Sequence, residues 1–385
     1  MNNKRYKDLT AVAVLLLVMV VLFQKILFTR LMVRAPDISS EFIWTVRHFA
    51  SMSLGELFRV QLHPVWDWLT NGGTTEGGGT LSLQLLYYRS LLFWLLPLPT
   101  SIAWFMVLHL FFGGLGAYCY CRVIGLHPLA ALGAGLLFAL APEQASLINA
   151  GHVQKIATIS FAPWVFCCLE KGMLTRRLVW FLATAVLLAL QFFNMHWQIA
   201  YYTCLALGIY GLGRLYAEFR GDETGSWVRV ARLGGLQLVM LLFFLSTVAI
   251  SLIPLADWSK ETTRGVQSGA NQGKGGLQVD EAMAWSLPPE ELATFAVPGL
   301  FGFSRQEGAY DTQDIRAYYW GRMVFTQTSD YMGLLPWLLL PLVFLFRRDH
   351  YAWLMLALAL GGILFSLGRY TPVYWWLYDH FPGVN

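Results

Sequence analysis

Between Leu9 and Leu367 the chain carries at least nine apolar segments of bilayer-crossing length, interrupted by two long polar excursions, 30–80 and 257–332. A helix needs ~20 apolar residues to cross a ~30 Å hydrocarbon core, and a soluble domain has no use for so many such runs. The sequence therefore predicts an all-α, polytopic membrane protein whose polar chemistry is confined to the two excursions and to the short turns between spans. Composition agrees: 56% of residues are hydrophobic and 13% charged, against about 25% charged in an ordinary globular domain. The 16 tryptophans and 17 tyrosines suit a chain with two interfaces to populate. A net charge of +4 with no basic run gives no reason to expect nucleic acid. Cys119, Cys121, Cys167, Cys168 and Cys204 all fall within apolar runs. Their spacing fits neither a zinc site nor a disulfide framework, so they read as small core residues.

Lys and Arg near span ends favour the cytoplasm. Lys4, Arg5 and Lys7 place the N-terminus inside, and an uncleaved anchor follows them. Arg122, the Lys171–Arg177 turn, the Arg214–Arg232 turn and Arg347-Arg348 are all inner only if Ser82–Leu96 does not cross. That segment is expected to lie along the membrane, as Arg89 in its middle suits. The expected spans are 9–29, 100–122, 128–146, 153–171, 177–195, 199–218, 230–256, 333–347 and 351–368, with Pro372–His380 an outer or re-entrant piece. The organisation is one transmembrane module: external loop 30–80, juxtamembrane helix 81–99, helical core 100–256, external loop 257–332 and terminal spans 333–385. Both loops, and the turns at Gly151-His152 and Asn194–His196, then share the extracytoplasmic face.

Within the first loop, Phe42, Ile43, Val46, Phe49, Ala50, Leu54 and Leu57 recur at helical spacing. This predicts an amphipathic helix lying on the outer leaflet. Pro64–Trp68 and Gly72–Gly79 predict a turn-rich bend. In the second loop, Asp280–Pro298 reads as a helix and Gly265–Gly276 as a flexible tip.

Four places carry candidate chemistry. Asp37, just past the first span with Glu41 one turn on, is a carboxylate at the membrane surface. It could act as general base, ligate a divalent cation, or simply cap the next helix. His152 and Lys155 open a span at the outer face. A cation pair opposes the helix dipole unless it serves an anion such as phosphate, although snorkelling also accounts for it. Asn194, His196 and the neighbouring Gln198, Tyr201 and Tyr202 cluster between two spans, where polar groups mark either function or a tight hairpin. Tyr318–Arg322 offers aromatic faces and the Arg322 guanidinium, suited to sugar and phosphate or to an interfacial belt. Gly269–Lys274 falls one residue short of a phosphate-binding loop, and no other nucleotide, metalloprotease or hydrolase motif is present.

Several stretches, taken in order, resemble the bacterial YfhO family of membrane proteins over nearly the whole chain. They are Ala35-Pro36-Asp37, Pro64-Val65-Trp66, Asn149–Lys155 with Ala162-Pro163-Trp164, Asn194–Tyr202, Val297–Gly302 and Tyr319-Trp320-Gly321. The family is grouped with GT-C glycosyltransferases. The resemblance implies juxtamembrane helices in the first external loop, an acidic residue just after the first span, and a polyprenyl-phosphate-linked sugar as donor. Asp37 stands at that acidic position, with Ala-Pro where glycine would be expected beside the acid. Family members run longer, so a further external C-terminal domain is expected.

The resulting expectation is a hexosyl transfer from a polyprenyl-phosphate carrier to an extracytoplasmic cell-envelope polymer or lipid, in the bacterial inner membrane. Asp37 and Glu41 would be catalytic, and His152, Lys155, Asn194, His196 and Arg322 would bind substrate. No cofactor is named by the residues beyond room for a divalent cation. Two rivals stand beside it. A transporter or flippase of lipid-linked or polysaccharide intermediates would need ionisable groups at mid-membrane. A non-catalytic envelope-assembly protein would tolerate substitution of Asp37 and Lys155.

Overall fold

A computed structural model describes residues 2–62, 65–67, 74–76, 91–221, 226–258, 279–302, 319–322, 331–381 and 384. The regular structure of the described residues is helical apart from one short antiparallel ribbon, β1 (Val65–Asp67) with β2 (Thr74–Glu76), in which Val65 faces Glu76. The ribbon occupies part of the predicted bend. The expected tip at Gly265–Gly276 lies outside the described residues, as does the 81–90 part of the juxtamembrane segment.

Three stretches are helical, long and apolar enough to cross a bilayer: Leu98–Val123, Pro128–Ala150 and Trp227–Asp257. Shorter apolar helices cover Leu178–Phe192, Leu334–Phe346 and His350–Ser366. Leu338, Leu340, Leu241 and Leu242 are exposed on these helices, and none of the residues of Leu334–Phe346 is buried. Helices with apolar exteriors are compatible with a helical membrane protein, because such surfaces would be unstable in water.

The chain divides into two compact units, Met1–Pro254 and Leu255–Asn385. The first begins with α1 (Asn2–Leu22) and α2 (Gln24–Leu27), followed by an irregular stretch and a π-turn at Ile38–Phe42. Then come α3 (Ile43–Ser51), α4 (Leu54–Leu62), α5 (Leu91–Leu95), α6 (Leu98–Val123), α7 (Pro128–Ala139), α8 (Pro142–Ala150), α9 (Val153–Thr175), α10 (Leu178–Phe192), α11 (Trp197–Arg220) and α12 (Ser226–Trp258).

Small residues let the central helices touch. A methyl group on Gly114 would come 2.8 Å from the Gly135 carbonyl, and one on Gly135 would meet the Gly114 carbonyl at the same distance. So α6 and α7 meet backbone to backbone, as helices do when dispersion rather than water drives their packing. Gly113 lies against Ser160 and Gly116 against Trp164, and the Trp164 indole donates to the Phe112 carbonyl at 2.8 Å. Contacts that advance together along both helices make α6 and α9 parallel. By contrast α1 runs antiparallel to α6: Asp8 meets Arg122, and the Leu27 carbonyl accepts from Trp104 at 3.1 Å. The bundle therefore has two chemically distinct ends. One collects Asp8, Arg122 and Glu170; the other collects the Leu27–Asp37 stretch and the start of α9.

The predicted amphipathic helix takes a different form. It is broken at Met52-Ser53 into α3 and α4, and Ser53 and Glu56 cap the second piece reciprocally. Its apolar stripe is covered in part, with Ala50 and Leu54 left exposed. Phe42, Val46, Leu57 and Val60 are buried in one cluster with Ile38, Met106, Leu147, Val153 and Ile156. Those four positions pack against protein, so their area is withdrawn from any contact with a leaflet.

In the second unit α13 (Val279–Ala282) and a 3-10 turn (Pro289–Phe295) precede α14 (Leu334–Phe346), α15 (His350–Ser366) and α16 (Pro372–His380). The single helix expected over 280–298 is thus interrupted over 283–288, and Pro289 opens the 3-10 turn that follows. The split segment is tied to the helices: Leu287 N–H donates to the Ser366 carbonyl at 2.8 Å, and the Trp337 indole donates to the Phe295 carbonyl at 2.9 Å.

Candidate functional site

The site begins with a glycine. Gly151 ends α8 in the left-handed conformation (φ +87°), and its N–H and that of His152 return to the Leu147 carbonyl at 3.0 and 2.9 Å. The bare Cα also admits a neighbour. A methyl there would stand 2.9 Å from the Ile38 nitrogen and 3.0 Å from the Ala35 side chain. Ala35 and Ile38 are almost fully buried, so the Ala35-Pro36-Asp37 segment is docked on this turn. Docking carries Asp37 to His152, whose Nε2 lies 3.2 Å from the carboxylate. Two sequence motifs more than a hundred positions apart are thereby one site.

Burial, with the Lys155 charge second, holds the His152 imidazole below its ordinary pKa, and the Asp37 carboxylate pulls the other way. The contact between the ring and Asp37 is a close polar approach of Nε2 to the carboxylate. Asp37 itself is half exposed, so its carboxylate is anchored on one side and reachable on the other. Among the described residues its partner is His152 rather than a backbone N–H of the turn it opens, which sets the capping role aside. The carboxylate also supplies negative charge at the start of α9, the sign the helix dipole favours.

Lys155, in the first turn of α9, lies within electrostatic reach of Asp37 and Glu143. Sequence reasoning did not pick out Glu143; its place two residues into the α8 helix gave no signal. His196, at the α10–α11 turn, is pushed down to about 4 by burial, then by the nearby Lys155 charge and His152. Its Nδ1 is buried with no hydrogen-bond partner among the described residues. The preceding Met195 adopts φ +66°, an arrangement disfavoured for a side chain. Asn194 is buried, and its amide donates to the Leu190 carbonyl at 3.0 Å, which closes the end of α10. Glu41 lies in the π-turn, and its side chain is outside the described residues. One-residue π insertions often accompany functional sites, and this one directly follows Asp37.

Arg322 belongs to the second unit. Its guanidinium pairs with Glu290 through Nε and through Nη2, the latter at 2.8 Å. That hydrogen bond holds the Glu290 carboxyl below its ordinary range. Among the described residues no group of three or more His, Cys, Asp or Glu is placed to hold a metal ion.

The opposite end of the first unit carries groups that the sequence offered only as orientation markers. Glu170 and Arg214 are buried and bonded at 2.8 Å, with the Tyr210 hydroxyl donating to the same carboxylate at 2.7 Å. Asp8 pairs with Arg122 at 2.7 Å and accepts from Tyr118 at 2.5 Å. Glu170, deep in an apolar run, gave no sequence signal beyond its cost there.

Comparison with family models, curated proteins and solved structures returns no match for this chain.

Proposed function

We propose that this protein transfers a sugar from a polyprenyl-phosphate carrier to an extracytoplasmic cell-envelope acceptor, as the resemblance to the YfhO family implies. The proposal includes the nine-span topology with both long loops outside and a GT-C-like arrangement in the bacterial inner membrane. The observation that supports it best is the docking of Asp37 onto Gly151-His152 beside Lys155.

In this reading the exposed side of Asp37 takes the proton of an acceptor hydroxyl as its oxygen attacks the anomeric carbon. The sugar–phosphate bond breaks, and the polyprenyl phosphate leaves with the electron pair. His152, in contact with Asp37, positions the carboxylate. Lys155 is the cation that meets the phosphate charge, a change from the two-cation clamp expected of His152 and Lys155 together. Positioned general bases contribute roughly 10²–10⁴ in rate.

The test uses purified protein in lipid nanodiscs with radiolabelled polyprenyl-phosphate sugars. Sugar release by wild type that vanishes in Asp37→Asn supports the reading. Loss of activity in Lys155→Ala with full activity in Asp37→Asn overturns the roles assigned.

A second reading, transport of a lipid-linked intermediate, draws on one observation: the buried Glu170–Arg214 pair within the helices. Ionisable groups inside spans commonly line transport paths. Carrier translocation across proteoliposomes without sugar release would favour it.

A further inference from the structure

The second unit holds a bend that presents an aromatic ring and a polar fork together. Its anchor is Glu291, buried at 2% exposure. The Glu291 carboxylate accepts from the Tyr319 hydroxyl at 2.6 and 2.7 Å and from the Arg322 backbone N–H at 2.7 Å. Gly321 leaves room for this arrangement: a methyl there would meet the Tyr319 hydroxyl oxygen, because the tyrosine ring folds back beneath it. Trp320 is fixed by its N–H to the Phe301 carbonyl at 2.9 Å and by ring contact with Phe301 at 4.6 Å. Even so, its side chain is 67% exposed.

Beside it, Arg322 lies over Tyr370, 5.5 Å from the ring centroid, and forks onto Glu290. Arg322 and Glu290 are both largely exposed. An exposed ion pair stabilises a fold little, so the pair's main product is a surface on which donors and acceptors stand side by side. A guanidinium has five N–H donors, and two of Arg322's are directed at Glu290. Three remain without an acceptor among the described residues, beside carboxylate oxygens that can accept further bonds.

We propose that Trp320, Arg322 and Glu290 form a saccharide-binding surface distinct from the Asp37 site. A pyranose ring has one apolar C–H face and a rim of hydroxyls. The first suits an exposed indole, and the second suits alternating fixed donors and acceptors. An uncharged glycan fits better than an isolated phosphate, because Glu290 sits within the fork and would repel an anion. The inference stands whether or not the chain catalyses transfer, since it concerns binding alone.

The test is saturation-transfer NMR on the full chain in nanodiscs, with cellohexaose, maltohexaose and chitohexaose as probes. Binding of at least one probe is expected, weakened about tenfold or more in Trp320→Ala, as for a central tryptophan anchor, and weakened in Arg322→Ala. Trp376→Ala, an exposed tryptophan on another helix, should bind as wild type does. Absence of binding to all three probes at millimolar concentration, or equal binding in Trp320→Ala, overturns the proposal. So does quenching by brominated lipid that is lost in Trp320→Phe, which would place the ring in the bilayer as an interfacial anchor.

Discussion

The two ends of the first unit use similar side chains for opposite purposes. At the arginine end, Glu170 is bonded to Arg214 and Tyr210, and Asp8 to Arg122 and Tyr118. At the other end, among the described residues, Asp37 keeps one side open, Lys155 lies within electrostatic reach of Asp37 and Glu143, and His196 buries a nitrogen with no hydrogen-bond partner. Lys155 and Glu170 sit on one helix, ~22 Å apart at 1.5 Å per residue. Satisfied polar groups rigidify a bundle, whereas unsatisfied ones carry a cost that a ligand can relieve. The contrast teaches that burial of charge alone does not mark a site; incomplete pairing does.

The largest expected effect breaks the arginine end. Glu170→Gln leaves buried Arg214 only the more distant Glu218 carboxylate, 3.9 Å away, and should cost about 3 kcal/mol, read as unfolding free energy by steric trapping in bicelles. A loss under about 1 kcal/mol would mean that water already reaches the pair.

Gly151→Ala strikes the other end through the backbone. The left-handed φ and the Ile38 contact together should cost about 1–3 kcal/mol, and the Asp37 segment should lift off the turn. Proteolysis within 30–40 faster than in wild type would report that undocking.

A pH dependence follows from His196. Its folded pKa, about 4, lies below the unfolded value of about 6.5. The unfolded chain therefore binds the extra proton first. Stability from this group is complete above about pH 6.5 and is lost as pH falls toward 4. His196→Gln should flatten that limb of a melting-temperature profile, and an unchanged slope would assign the loss to other groups.

The smallest effect sharpens the contrast within the arginine end. Asp8→Asn touches a partly exposed pair, so its cost, by the same unfolding measurement, should be about 1 kcal/mol or less.

The helical character of the chain and several boundaries were legible in the sequence. The spans expected at 333–347 and 351–368 lie over α14 and α15, and Pro372–His380 is a helix, because apolar runs and prolines mark such limits directly. Asp37 and His152 were each legible as candidates, but their contact was not. It depends on a glycine's bare Cα admitting a segment more than a hundred residues away, and no local pattern records that. The α3–α4 stripe has the periodicity of a surface helix whether lipid or protein covers it, so the sequence could not choose between them. Glu170 and Arg214 were illegible as partners because 44 positions separate them, and each alone reads as a misplaced charge.

The most direct test of the central claim compares Asp37→Asn with Glu170→Gln in nanodiscs, scoring sugar release from a radiolabelled polyprenyl-phosphate donor per folded molecule. The account expects Asp37→Asn to fold like wild type and lose release by roughly 10²-fold or more, and Glu170→Gln to lose stability while its folded fraction still turns over. Full release by Asp37→Asn, with activity lost only where folding is lost, would contradict it.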